Sequence, residues 1–84
     1  MGTCMITFRS VMPAQRAEKV LKQTGITGTL TRTPKWMEKK GCGYSYRIPC
    51  DKMDRAVRVL THSRIAYSKL YMTDENGNLQ ELTL

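Results

Sequence analysis

The sequence predicts an α+β domain, a ferredoxin-like βαββαβ sandwich, from three observations. Strand and helix signals follow one another in the order β-α-β-β-α-β, both helical segments carry an apolar stripe, and Asn76-Gly77 is a strong hairpin signal. This order favours an antiparallel sheet with two helices on one face, extended by a C-terminal β-hairpin arm. One domain is expected over residues 1–84, with a core at about 4–72 and the arm at about 66–84.

The first half of the chain gives one strand, one helix and a second strand. Residues 4–9 alternate with a period of two, which places three residues on a core face: Cys4, Ile6 and Phe8. Ser10 is a candidate helix cap and Gly25 a candidate helix stop, so a helix is predicted over about 12–24. The threonine-rich residues 27–33 favour a strand.

The second half repeats this pattern after a long connection over residues 34–43. Tyr44 to Ile48 alternates as a strand, and a helix capped by Asp51 is expected to end near His62. The segment from Ile65 to Met72 favours a strand. After a turn, residues 79–84 are predicted to return as its hairpin partner.

The composition favours anionic partners and reduced thiols. The net charge is +7, which favours nucleic acid, anionic metabolites or acidic protein surfaces without choosing among them. No apolar run reaches the roughly 18–20 residues of a membrane span, and no signal-peptide pattern opens the chain, so a cytoplasmic location is expected. Cys4, Cys42 and Cys50 form an odd set without paired spacing, which suits reduced thiols better than a disulfide framework.

The connection contains the chain's most informative stretch, in which Cys42 stands between Gly41 and Gly43 and directly after Lys39 and Lys40. Glycines leave the sulfur unshielded, and lysines stabilise the nucleophilic thiolate. Lys35 precedes them in the same connection. Two interpretations stay open: a reactive thiol that handles sulfur, and a loop cysteine without a function.

The predicted topology brings further groups toward this thiol. The first strand's end, the first helix's start and the connection should share one end of the sheet, so Arg9 and Ser10 are candidate binding residues beside Cys42. Cys50 should lie on the order of 25 Å along the strand from Cys42, too far for a disulfide. Cys4 is expected near Cys50, as a reduced pair of structural meaning.

Short motifs in a characteristic order carry a family resemblance over roughly residues 5–72. They are Ile6-Thr7-Phe8-Arg9-Ser10, Ala17-Glu18-Lys19-Val20-Leu21-Lys22 followed by Gly25-Ile26, Thr33-Pro34-Lys35, Cys42-Gly43 and Tyr44-Ser45-Tyr46-Arg47-Ile48. With these motifs the chain resembles a family of small bacterial domains described as selenium/sulfur carrier protein-like. The chain differs from the family pattern just before Cys42, where residues 38–41 stand in place of the small hydroxyl residues expected of the family.

The resemblance implies that Cys42, with Gly43 beside it, carries sulfur or selenium. The thiolate would hold a persulfide or selenosulfide and pass it to a donor or acceptor protein. The lysines of the connection would hold the anion and steer an acidic partner. Such a carrier is not expected to turn over a substrate alone, and no cofactor is expected.

Two other functions are weighed against carriage. A basic ferredoxin-like sheet also suits a nucleic-acid-binding module, with Tyr44, Tyr46 and Tyr67 as stacking candidates. A metal site would need the three cysteines with His62, but no paired ligand spacing supports one, and no metal is predicted. A homodimer through the exposed edge of the hairpin arm is a further alternative.

Overall fold

The computed structural model describes residues 2–32, 43–73 and 78–82. They form an α+β fold with two helices and a five-stranded antiparallel sheet, in which the strand order is β2-β3-β1-β4-β5. The strands are β1 (Thr3–Phe8), β2 (Thr29–Arg32), β3 (Tyr44–Pro49), β4 (Leu70–Thr73) and β5 (Leu79–Leu82). The helices are α1 (Val11–Gln23) and α2 (Met53–His62), and a short 3₁₀ turn, Cys50–Lys52, precedes α2.

The order of elements and the pairing of the first and third strands agree with the sequence. β1 lies between β3 and β4, antiparallel to both, with Phe8 opposite Tyr44 and Ile6 opposite Leu70. The fifth strand pairs with β4 at one edge, as the hairpin arm requires. This fifth strand makes the sheet differ from a simple βαββαβ arrangement.

One hydrophobic core lies between the sheet and both helices. The predicted face of β1 is buried in it, with Cys4, Ile6 and Phe8 each 0–1% exposed. Both helices bury one stripe against it, formed by Ala14, Ala17, Leu21, Met53, Ala56 and Leu60. Because both stripes belong to one core cluster with the same face of β1, the two helices cover the same side of the sheet.

Tyr46 stands in the middle of this core and is fully buried. Its hydroxyl donates a hydrogen bond to the carbonyl oxygen of Ile26 at 3.4 Å, which ties β3 to the turn after α1. Burial raises the pKa of Tyr46 above its ordinary value, and the negative charge of Glu18 acts in the same direction. A backbone hydrogen bond from Gly28 opposes this shift by stabilising the phenolate.

Both helices end in the same hydrogen-bonded motif. After α1, the amide of Ile26 donates to the Leu21 carbonyl at 2.8 Å, and Gly25 has a φ of 84°. After α2, the amide of Ile65 donates to the Leu60 carbonyl at 2.9 Å, and Arg64 has a φ of 58°. This is the Schellman arrangement, whose left-handed residue is usually glycine. Gly25 therefore ends α1 as predicted, whereas an arginine holds the same position after α2.

Two sequence-based boundaries were wrong. The strand expected from Ile65 begins only at Leu70. The pairing before Leu70 is irregular, because the backbone of Thr7 bonds to both Ser68 and Lys69. The Thr7 hydroxyl also accepts from the Lys69 amide at 3.0 Å and donates to the Lys69 carbonyl at 3.2 Å. Asp51 does not cap α2 either, because it lies within the 3₁₀ turn, and Lys52 stands at the cap without a side-chain hydrogen bond.

Candidate functional site

The sheet has two ends with different chemistry, and the candidate site is at one of them. β1 finishes at Phe8, opposite Tyr44, with which β3 begins, and Arg32 at the end of β2 also pairs with Tyr44. We call this the loop end, because Arg32 and the buried Gly43 flank the connection that carries Cys42. The start of α1 and the end of α2 reach the same end of the sheet.

Several predicted site residues lie outside the described residues. These are Lys35, Lys39, Lys40, Gly41 and Cys42. Gly43, Arg9 and Ser10 are described. The structure therefore brings three of the eight candidates together at the loop end.

Arg9 and Ser10 connect β1 to α1, and both are exposed. Ser10 stands at the helix cap in extended conformation, but its side chain makes no capping hydrogen bond, and no acidic residue lies in the first turn of α1. The sequence thus placed Ser10 correctly at the start of the helix. Its expected hydrogen bond to the helix is not formed.

A cavity opens beside this junction, with a volume of about 340 Å³. It is lined by Arg9, Pro13, Ala66, Tyr67 and Ser68. The amide of Ser68 donates to the Thr7 carbonyl at 2.7 Å, which fixes the far wall of the cavity against β1. The guanidinium of Arg9 and the hydroxyls of Tyr67 and Ser68 line the cavity together with apolar side chains, so it can bind an anionic or amphipathic group.

Sequence reasoning missed the wall formed by residues 66–68. These residues were assigned to a strand, which hid their position in the connection from α2 to β4. The signal that could have found them is topological: a crossover helix that begins beside the end of β3 must return its following connection to the loop end.

Cys4 and Cys50 lie at the opposite end, where Thr3 pairs with Pro49. They are joined by a disulfide with a Cα–Cα distance of 4.9 Å. The expected proximity of the two cysteines is therefore confirmed, but the expectation of a reduced pair was wrong. Adjacent strands lie close enough for a bridge there, and the 3₁₀ turn after β3 brings Cys50 to Cys4. Because Cys50 is bonded to Cys4, Cys42 is the one cysteine of the chain outside this bond.

The disulfide removes Cys4 and Cys50 from the four ligands that the metal alternative requires. Among the described residues no three histidine, cysteine, aspartate or glutamate side chains are grouped to hold a metal ion. His62 is the exposed last residue of α2. In the described part of the chain, neither helix has the length and apolar character needed to cross a membrane.

Comparison with models of protein families identifies the family of this chain. A family model described as "Putative Se/S carrier protein-like" matches residues 3–72, which is most of the sequence. The chain belongs to this family. The match begins with β1 and ends in β4, so the carrier-like family unit contains the loop end, the cavity and both cysteines of the disulfide. Comparison with curated proteins gave no match, and comparison with solved structures gave none either.

Proposed function

We propose that this carrier-like domain holds sulfur or selenium on Cys42, as a persulfide or selenosulfide, and passes it to a partner protein. Family membership over residues 3–72 is the observation that carries this proposal. The order β2-β3-β1-β4 also supports a ferredoxin-like core, to which β5 is added as the hairpin arm.

The disulfide supports the choice of Cys42 as the thiol. A carrier needs a free, accessible thiolate, and two of the three cysteines are bonded to each other. The bond lies at the opposite end of the sheet, since Cys4 precedes Phe8 by roughly 13 Å of strand. The disulfide is therefore remote from Arg32 and Gly43, between which Cys42 stands in the sequence.

The groups around the loop end suit an anionic sulfur. Arg9 lies at this end, and lysines at positions 35, 39 and 40 accompany Cys42 in the sequence. Positive charge favours a thiolate over a thiol, and a persulfide anion over its protonated form. We also propose a cytoplasmic location, where the Cys4–Cys50 bond would open and close with the cellular thiol balance.

The nucleic-acid alternative gains no support from the aromatic residues. Tyr46 is fully buried, and Tyr44 shares its side of the sheet because the two alternate along β3. Both therefore face the helices and not the open side on which bases stack in RNA-binding sheets. Tyr67 lines the cavity. We therefore do not propose nucleic-acid binding.

Loading of the purified protein by a cysteine desulfurase and cysteine tests carriage. We expect the intact mass to increase by one sulfur atom in the wild type, and no increase in Cys42→Ala. A thiol reductant should remove the added sulfur, because its thiolate attacks the sulfur–sulfur bond of the persulfide.

The matched control is the double variant Cys4→Ala/Cys50→Ala, which keeps Cys42 and should still load. Absence of added sulfur on the wild type, or equal labelling of Cys42→Ala, would overturn the assignment.

A further inference from the structure

The first turn of α1 exposes apolar side chains that the core does not use. Val11 is 37% exposed and Met12 is 66% exposed, and in the described part of the chain they are the large hydrophobic residues that face solvent. The apolar stripe of α1 begins only at Ala14. An exposed apolar side chain beside a cavity offers apolar area that a bound partner could cover.

Such a cavity adjoins these side chains. Pro13 follows Met12 directly and forms one wall of the 340 Å³ cavity, whose other walls are Arg9, Ala66, Tyr67 and Ser68. This volume is at the lower end of the range for small-molecule pockets, about 300–1,000 Å³. It suits one apolar side chain of a bound segment, with the hydroxyls of Tyr67 and Ser68 available to that segment's backbone.

One arginine lines this cavity, and a second stands close to its wall in the sequence. Arg9 forms part of the wall, and Arg64 lies two residues before Ala66 and is exposed. Arg64 holds a backbone conformation, φ 58°, for which glycine is the favoured residue, as Gly25 shows at the end of α1. A positive charge thus stands at the end of α2, two residues before the cavity wall.

The described acidic residues are either remote from the cavity or paired with a lysine, as Glu18 is with Lys22. Asp51 and Asp54 lie at the start of α2, at the opposite end of the sheet. Glu81 on β5 is paired with Lys69, with 3.5 Å between Oε1 and Nζ. The surface around the cavity is therefore complementary to a negatively charged partner.

We propose that the first turn of α1 and the adjoining cavity dock a partner protein through a segment that presents one apolar side chain flanked by carboxylates. The apolar side chain enters the cavity against Pro13, beside the exposed Met12, and its carboxylates pair with Arg9 and Arg64. This rests on the proposed carrier function, since a carrier must bind its donor or acceptor near the thiol. Buried apolar anchors provide most of the affinity of such contacts, and charges provide orientation.

Titration of the isotope-labelled full chain by NMR tests this surface. The probes are three pentapeptides: Glu-Asp-Leu-Asp-Glu, the same peptide with serine at the centre, and Lys-Arg-Leu-Arg-Lys. We expect saturable shifts at the amides of Val11, Met12 and 66–68 with the first peptide. The peptide with serine at its centre should bind about tenfold more weakly, because one large apolar side chain is lost from the contact. The basic peptide should not bind.

Variants separate docking from folding. Met12→Ser should weaken binding of the acidic peptide about tenfold. The melting temperature should not change, because the Met12 side chain is exposed. Arg64→Gly should also weaken binding of the acidic peptide. It should raise the melting temperature, because glycine adopts the left-handed backbone conformation at position 64 without strain. The charge control is Arg55→Gln, on the exposed side of α2 at the opposite end, which should leave binding unchanged.

The same samples identify the outcomes that contradict the proposal. Absence of saturable shifts at millimolar acidic peptide overturns it, and so does stronger binding of oligouridine to the same residues. A dimer that dissociates in Met12→Ser would make the surface a contact between copies and also overturn it. Sulfur loading is measured in parallel: a protein that loads but binds no peptide lacks the docking surface, whereas one that binds peptide but takes no sulfur is not the proposed carrier.

Discussion

Reduction of the Cys4–Cys50 disulfide is expected to lower the free energy of unfolding by about 4 kcal/mol. The bond closes a loop between residues 46 apart in the sequence. In the chain-entropy description, a loop of this length restricts the unfolded chain by an amount that stabilises the fold by about 4 kcal/mol. A domain of 84 residues has a total stability of about 4–13 kcal/mol, so this loss is a large part of it.

Urea unfolding of the same protein with and without reductant measures this effect without removing any atom from the core. The experiment is best done in the Cys42→Ala background, which prevents exchange between Cys42 and the bond. Reduction should lower the unfolding midpoint, and intact mass should show the gain of two hydrogens. An unchanged midpoint and an unchanged mass in reductant would show that the bond does not form in the protein.

Replacement of Gly28 by alanine is expected to cost about 3 kcal/mol, at the upper end of the range for overpacking. An added Cβ would overlap the carbonyl oxygen of Arg47 and lie 2.9 Å from Cγ2 of Ile48. The obstacle is backbone, so β2 would have to move away from β3. Gly28 also donates the backbone hydrogen bond to Tyr46, which a displaced β2 would lose.

Gly25→Ala is the matched control, because its cost arises from a different cause. A Cβ there meets nothing within 4 Å, but the φ of 84° is strained for any residue other than glycine. The expected loss is about 1–2 kcal/mol. Asparagine should recover part of the stability at position 25 and none at position 28. Equal unfolding midpoints for Gly28→Ala and the wild type would contradict the close approach of the two strands.

The sequence predicted those elements in which a periodic apolar pattern and a chain-ending residue agree. β1 and α1 were placed within one or two residues, because Cys4, Ile6 and Phe8 alternate and Gly25 stops the helix. β3 was placed in the same way, between the connection and Pro49. The neighbouring position of Arg9 and Gly43 at the loop end followed from topology alone.

The features that were missed depend on contacts between distant residues. Nothing local in residues 65–69 indicates that Thr7, 62 positions from Lys69, bonds to this segment through both its backbone and its hydroxyl. The topology predicted that Cys4 and Cys50 lie close together, but not that they are bonded, because their spacing matches no common disulfide motif. The cavity likewise arises from two segments, Arg9–Pro13 and 66–68, that are far apart in sequence.

The most direct test of the carrier assignment is the pH dependence of alkylation of Cys42, followed by sulfur loading of the alkylated protein. Without reductant, we expect a single modified cysteine, Cys42, whose alkylation rate reaches half its maximum well below the ordinary thiol pKa of about 8.5. The alkylated protein should then take no sulfur from the desulfurase. A midpoint at or above that value, together with sulfur loading of the fully alkylated protein, would contradict the assignment of Cys42 as the carrier thiol.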